Sequence, residues 1–222
     1  MIARFATIFS LVLGLNCFGQ DGTASLNCQR TPNPAHFNDS GQFVLRNSEA
    51  TFGLKMLRGG LLVHGFEAGA FAILAALPRS ISQWDEISGQ SISQQYRRTF
   101  SAPPRPDTDH WYINYIAHPY QGMLFYNSVR SQNAKVWQSS LYTVGHVLVW
   151  EYALEGGLEQ PSIQDLIVTP LAGIALGELA HFCSMRMARN GFKWYETATI
   201  FIINPMFALN NKVWAHPARK TH

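Results

Sequence analysis

Residues 111–130, WYINYIAHPYQGMLFYNSVR, contain only one formally charged side chain, that of Arg130. The low charge persists through Trp150, because Lys135 is the only further Lys, Arg, Asp or Glu in that interval. The run shows no strand-like alternation of apolar and polar residues and is far longer than an ordinary strand. It therefore predicts two packed helices, at about 110–131 and 135–155.

The segments on either side extend this pattern. Ser162 is a predicted N-cap, with Asp165 three residues later at the position of a capping box. Asn190-Gly191 is expected to stop that helix, and Pro103-Pro104 marks a linker or tight loop. The other predicted elements are an apolar helix within 48–77, a polar surface helix within 79–100, a long helix over 162–189 and a last helix over 194–209. We predict an all-α bundle of five or six apolar helices, with 48–222 as a single helical domain.

Three prolines fall within these helical patterns, and each is expected to kink its helix. Proline removes one backbone hydrogen bond and frees the carbonyl four residues earlier. The three positions are Pro119, Pro170 and Pro205. Neighbouring helices or polar side chains must satisfy the freed carbonyls, as is common in membrane helices.

The N-terminus predicts export. Arg4 precedes a short apolar run over 5–15, which is typical of a secretory signal peptide and short for a membrane helix. Cleavage before Gln20 gives a signal peptide at 1–19, followed by an irregular arm at 20–47. Two cysteines, Cys28 and Cys183, then remain, and they form either a disulfide or two unrelated thiols.

Composition limits the classes of function. The chain has 222 residues, a formal net charge of +3 and 14% charged residues, against about 25% in a typical soluble domain. Its Lys and Arg residues are scattered, which argues against a nucleic-acid partner. No phosphate loop, nucleophile elbow or metal-protease motif is present, so no cofactor is predicted. Mean hydropathy of −0.05 is too low for a chain made wholly of membrane spans.

The candidate functional residues are the few polar groups on these apolar helices. Residues four apart on a helix form one slanting stripe. One stripe contains Asn114, His118, Gly122, Tyr126 and Arg130; a second contains Asp165, Thr169, Gly173 and Gly177, with Glu178 beside its end. Glu151 and Glu155 share a face and need a compensating cation, proton or metal. We expect Arg130 to be that cation, since a guanidinium can hold two carboxylates.

Three interpretations of these residues remain open. They are caps, ion pairs and core hydrogen bonds forming a structural seam that includes Ser162. Alternatively, His118 acts with Glu151, Asp165 or Glu178 in acid–base catalysis. As a weaker alternative, Glu151 or Glu155 binds a metal with Glu178 and His181. His64 and Glu67 form a satellite pair, and His146 is interpreted as a satisfied core histidine.

The central third of the chain resembles a bacterial family, domain of unknown function 3943. The resemblance lies in ordered motifs across about 110–180, namely Trp111–Gly122, Tyr126–Arg130, Trp150–Tyr152 with Glu155, Pro161–Ile167 and Gly173–Glu178. The resemblance implies an exported envelope protein and adds no reaction, because the family has none established. A looser likeness to VanZ-like membrane proteins rests on the order of His118, Glu151, Ser162-x-x-Asp165 and Gly173-x-x-x-Gly177.

Two functions are therefore expected. The first is an exported, membrane-associated component in the periplasm or at the outer membrane that binds a lipid or an envelope protein. The second is an enzyme that acts on an envelope lipid or glycan through His118 and the carboxylates. An integral membrane location is the alternative to peripheral association. The sequence does not indicate an oligomeric state.

Overall fold

The computed structural model describes residues 36–78, 91–107 and 109–218, and helices dominate that part of the chain. The predicted signal peptide, most of the predicted arm and Cys28 lie outside the described residues, so the disulfide with Cys183 stays a prediction. The helices are α1 (Phe52–Ala76), α2 (Ile92–Ser101), α3 (His118–Arg130), α4 (Val136–Val149), α5 (Ile163–Met187), α6 (Trp194–Ile203) and α7 (Pro205–Asn211). The predicted all-α class is confirmed.

Shorter turns of helix connect these elements. Ile113–Ala117 is a π-helical turn leading into α3, and Trp150–Leu154 is a second one following α4. Short 3₁₀ turns occupy Glu155–Gly157 and Val213–Ala215. The π turns lie where the predicted helices 110–131 and 135–155 carry Asn114 and Glu151, and such turns are frequent at functional sites.

Helices α3 and α5 pack side by side and run in the same direction, which brings their two stripes together. Glycine permits the close approach: a Cβ added to Gly173 would lie 2.6 Å from the Cα of Gly122. One turn further along, a Cβ at Gly177 would lie 2.6 Å from Cδ1 of Tyr126. No larger residue fits between these backbones without moving the helices apart. Helix α4 returns the chain from the end of α3 to the start of α5.

The arm differs from its prediction near its C-terminal end. His36–Phe37 pairs antiparallel with Phe43–Val44 as strands β1 and β2, and Gly41 adopts a positive φ of 77° in the turn. Phe43 is buried against aromatic residues near the C-terminus of the described chain, with ring centroids 5.6 Å from Phe192. The prediction of an irregular arm therefore misses this hairpin, which two residues per strand are too short to reveal by alternation.

Pro205 begins a helix rather than interrupting one, whereas Pro119 and Pro170 lie within continuous helical runs. Pro119 lies in the first turn of α3, directly after the π-helical turn. Pro205 begins α7, because Asn204 leaves the helical region and caps the next helix by accepting a bond from Phe207 N–H. Pro170 lies inside α5. Proline at the first helical position loses no intrahelical bond.

The outer surface of the bundle is strongly apolar while much of its interior is polar. Helix α5 shows this inversion best, since Asp165, Thr169 and Ser184 are buried on its inner face. Its outer face exposes large apolar side chains, namely Ile167, Leu171, Leu176, Leu179 and Phe182. In the described part of the chain, one segment, Ile163–Asn190, is long and apolar enough to cross a membrane by length and composition alone.

Candidate functional site

The two predicted polar stripes meet along the α3–α5 interface. His118 lies opposite Asp165, Gly122 opposite Thr169 and Gly173, and Tyr126 opposite Gly177 and Glu178. Arg130 reaches Glu178 at the far end. This pairing follows from the shared spacing of four residues, since two parallel helices with equal spacing stay in register over several turns. A cluster of polar side chains lies at each end of the interface.

The first group, here called the acid cluster, consists of Asp107, His118, Glu151, Ser162 and Asp165. His118 Nε2 lies 3.5 Å from Asp165 Oδ1. Glu151 Oε2 accepts a hydrogen bond of 3.0 Å from Ser162 N–H, and Ser162 Oγ accepts one of 3.1 Å from Asp165 N–H. Ser162 is thus the predicted N-cap of α5, and His118, Glu151 and Asp165 are three of the four predicted catalytic candidates.

Asp107 was missed by the sequence reasoning, which assigned its segment to a linker. Arg105 N–H donates to the carbonyl of Pro161 over 3.0 Å, and the Arg105 carbonyl accepts from Ile163 N–H over 2.9 Å. These bonds fix residues 103–107 across the start of α5 and bring Asp107 to the cluster. The sequence offered one signal for Asp107, namely an acidic residue directly after a proline-rich segment. Local periodicity cannot connect such a residue to a distant helix.

Helix α2 holds the turn that carries Glu151 and Glu155. Tyr96 Oη donates to the carbonyl of Ala153 over 2.6 Å, and Thr99 Oγ1 donates to that of Gly156 over 2.7 Å. Glu151 and Glu155 are both buried. Glu155 belongs to the edge of the cluster, where its charge acts on Asp165.

Two of the three carboxyl groups of the acid cluster, those of Glu151 and Asp165, have raised pKa values. Burial raises the pKa of Glu151 to about 8, with the charge of Asp165 adding to the effect. Burial also raises the pKa of Asp165 to about 8, assisted by Asp107 through a hydrogen bond and its charge. Burial opposes ionisation of Asp107 too, but hydrogen bonds from Asp109 N–H, Asp165 and Ser162, together with His118, lower its pKa overall. Asp107 and Asp165 therefore resemble a carboxyl pair sharing one proton.

His118 is the basic member of the cluster. Burial lowers its pKa despite the nearby charge of Asp107, so the imidazole is neutral at neutral pH. Several buried polar atoms here, including His118 Nδ1 and Asp165 Oδ1, make no hydrogen bond within the described residues. Asn114 Oδ1 and Thr169 Oγ1 each lie one helical turn away from the cluster along the chain. They too are buried and make no hydrogen bond within the described residues. Buried polar groups without partners are uncommon, and they mark sites of ligand binding or chemistry.

The second group, at the other end of the interface, is charge-matched. Arg130 Nε and Nη2 donate to the two carboxylate oxygens of Glu178 over 2.9 and 3.0 Å. Tyr126 Oη donates to Glu178 Oε2 over 2.6 Å. The hydrogen bonds from Arg130 lower the pKa of Glu178 to about 2. The prediction that Arg130 neutralises Glu151 and Glu155 is wrong, because its guanidinium is fully engaged with Glu178 and the carbonyl of Ala134.

The predicted metal set is not brought together. Glu151 and Glu155 lie beside the start of α5, whereas Glu178 and His181 lie about four turns further along that helix, roughly 20 Å away at 1.5 Å per residue. Burial lowers the pKa of His181 to about 4, aided by the charge of Arg130. In the part of the chain that the structure describes, the group with metal-like spacing is a different one, His64, Glu67 and His146.

Comparison with known proteins agrees with the resemblance seen in the sequence. Residues 103–206 match the model of a family described as "Domain of unknown function (DUF3943)", a range that contains the acid cluster, the Arg130 group and α3 to α6. Neither the curated proteins nor the solved structures gave a significant match. The looser likeness to VanZ-like proteins has no support from these comparisons. Over residues 103–206, this chain is therefore similar to the DUF3943 family.

Proposed function

We propose that this protein is a membrane-associated envelope enzyme in which the acid cluster performs acid–base chemistry on an envelope lipid or glycan. One observation carries the proposal: the buried side chains of His118, Glu151 and Asp165 converge at the start of α5. The lowered pKa of His118 and the raised pKa values of Glu151 and Asp165 give the site a base and an acid at the same pH. Such opposed shifts are how active sites assign these roles.

The roles follow from protonation. His118, neutral near pH 7, is the general base, and its Nε2 faces Asp165. Asp165 keeps its proton and is the general acid, while ionised Asp107 orients that proton through the bond between them. Glu151 anchors the cluster by accepting from Ser162 N–H. General acid–base groups of this kind contribute about 10²- to 10⁴-fold to a rate.

Membrane association is supported by the apolar exterior. Exposed apolar patches beyond a few hundred Å² mark partner or membrane contacts. Four tryptophans, at helix starts or close to a chain turn, are more than half exposed, namely Trp111, Trp137, Trp194 and Trp214. Tryptophan in such positions is typical of the interface between lipid and water. Export is supported by the N-terminal sequence, and we expect the native protein to begin near Gln20.

A complementation experiment tests the catalytic proposal. His118→Gln and Asp165→Asn are introduced into the full chain and expressed in a deletion strain, with Glu178→Gln as a control on the same helix. We expect both cluster variants to fail to restore the phenotype while melting no lower than the parent. The control should lose stability and retain function. Cluster variants that complement fully would overturn the proposal, as would a loss of function that only follows a loss of folding.

A flotation experiment tests the membrane proposal. The purified protein should float with vesicles of phosphatidylethanolamine and phosphatidylglycerol, and carbonate should extract it from cell membranes if it is peripheral and not if it is integral. A double variant, Leu171→Gln with Leu179→Gln, removes two exposed apolar side chains from one face of α5 and should weaken flotation. A parent protein that stays soluble without detergent and does not float with the vesicles would exclude a lipid contact.

The apolar exterior also favours a second function, a non-catalytic component that binds a lipid or an envelope protein. In that case the acid cluster contributes only to folding. The two functions differ in one result: His118→Gln then complements whenever it folds.

A further inference from the structure

We propose that His64, Glu67 and His146 form a binding site for a divalent transition-metal ion, best suited to Zn²⁺. The site is separate from the acid cluster and lies between α1 and α4. It does not depend on the catalytic proposal, since none of its residues belongs to the acid cluster.

The three side chains converge where side chains of α1 and α4 meet. A Cβ at Gly60 would lie 3.6 Å from Tyr142 Oη, and one turn later on each helix His64 faces His146, with ring centroids 5.4 Å apart. Glu67 follows His64 by three residues, on the same face of α1, and its Oε2 lies 2.6 Å from His64 Nδ1. One ligand atom from each residue lies within 4.8 Å of the other two.

These separations suit a tetrahedral ion. Bonds of about 2.0–2.1 Å to zinc place neighbouring ligand atoms about 3.3 Å apart. The distance from His64 Nδ1 to Glu67 Oε2 is 2.6 Å, and all three ligand atoms lie within 4.8 Å of one another. Small rotations of the side chains therefore suffice. Two histidines and one glutamate are a known ligand set for zinc, and they leave a fourth position open for water or substrate.

A second observation points to a ligand at this position. Glu67 is 5% exposed and His146 is 9% exposed, yet neither Glu67 Oε1 nor His146 Nδ1 makes a hydrogen bond within the described residues. An unpaired buried polar atom is destabilising, because it has lost its hydrogen bonds to water and gained none in the protein. A cation bound by both side chains would give these buried polar groups a partner. The sequence reading of His146 as a satisfied core histidine does not account for this unpaired nitrogen.

The surroundings keep the histidine ready to ligate. His146 is buried beside aromatic side chains of α3 and α4. The ring of Tyr142 packs against it with centroids 4.3 Å apart, and that of Phe125 lies 5.4 Å away. These contacts hold the ring in place from two sides.

The test measures Zn²⁺ binding by the full chain in detergent after chelator treatment, using a competing chromophoric chelator. We expect one Zn²⁺ per chain. Glu67→Gln and His146→Gln should lower the affinity by at least about 100-fold, the upper range seen when even an outer-shell partner is removed. His181→Gln is the matched control, because His181 is also buried with an unpaired Nδ1 but lies on α5.

A thermal melt accompanies each titration. Zn²⁺ should raise the Tm of the parent and of the His181 control, since an ion that binds only the folded state stabilises it. It should leave the Tm of His146→Gln unchanged. If the buried variants do not fold, His64→Gln serves instead, because the His64 side chain is 35% exposed and its loss leaves the packing intact.

Three results would each overturn the proposal. The parent does not bind Zn²⁺; the Glu67, His146 and His64 variants bind it as tightly as the parent; or His181→Gln weakens binding as much as they do.

Discussion

The two ends of the α3–α5 interface share one geometry and differ in charge. At the far end, Arg130 and Tyr126 satisfy the single carboxylate of Glu178. At the near end, the carboxyl groups of Asp107, Glu151 and Asp165 gather around one histidine, His118. Fully paired charges stabilise a fold, whereas acids crowded together store an electrostatic cost that a folded protein retains at functional sites. Polar residues at equivalent positions on the two stripes can therefore have different roles.

The largest expected effect comes from separating the two helices, which damages both ends at once. Gly173→Ala places a methyl group against the backbone of Gly122. We expect the free energy of unfolding to fall by about 3 kcal/mol, at the upper end of overpacking. Denaturant unfolding in detergent measures it. Gly145→Ala is the control, because nothing lies within 4 Å of its Cβ, and it should be neutral or up to about 1 kcal/mol more stable. Equal effects would contradict the close approach.

The second largest effect is expected from removing the ion pair between Arg130 and Glu178. Arg130→Met keeps the volume and leaves Glu178 without its guanidinium. We expect a loss of about 1–2 kcal/mol, less than for a fully buried pair because the Glu178 side chain is 40% exposed. The pKa of Glu178 is lowered from 4.5 to about 2, so this stability is complete above pH 4.5 and disappears as pH falls towards 2.

Acid titration of unfolding checks that expectation. The parent should lose stability between pH 4.5 and 2 more steeply than Arg130→Met. Parallel curves would mean that Glu178 gains nothing from Arg130.

The smallest expected effect is a gain in stability rather than a loss. The pKa of Asp165 is raised from 3.8 to about 8, so the folded state binds the extra proton and stability falls as pH rises through that range. Asp165→Asn cannot ionise and should be about 1 kcal/mol more stable than the parent at pH 8, a gain typical of relieving a functional site. Melting temperature as a function of pH measures it. Asp39→Asn, at an exposed position, should change nothing. A variant less stable than the parent at pH 8 would show that the cluster is structural.

Sequence patterns predicted the helices and the interface better than the partners within it. Ser162 caps α5 as predicted, and the spacing of four residues identified both stripes, because helical periodicity is local information. The partner of Arg130 depends on how far one helix is shifted along the other. That shift is set by the glycine contacts between α3 and α5, and no local period records it.

The parts that sequence reasoning missed come from contacts between distant segments. Asp107 enters the acid cluster through backbone bonds between residues 105 and 161–163. His146 meets His64 and Glu67 across two helices that are separated by α2 and α3 along the chain. In each case the sequence shows the residue type but not the distant residues that it contacts in the fold.

The parallel course of α3 and α5 has a consequence for how the chain acquires its structure. Tyr126 and Glu178 are 52 residues apart, and α4 must reverse direction before α5 can lie beside α3. Helices α3 and α4 can form a hairpin from adjacent sequence, but the α3–α5 contact must wait for the rest. At ribosomal rates of about 5–20 residues per second, α3 presents an unpartnered polar stripe for about 3–10 s. A chaperone or translocation partner that shields that stripe would act in this interval.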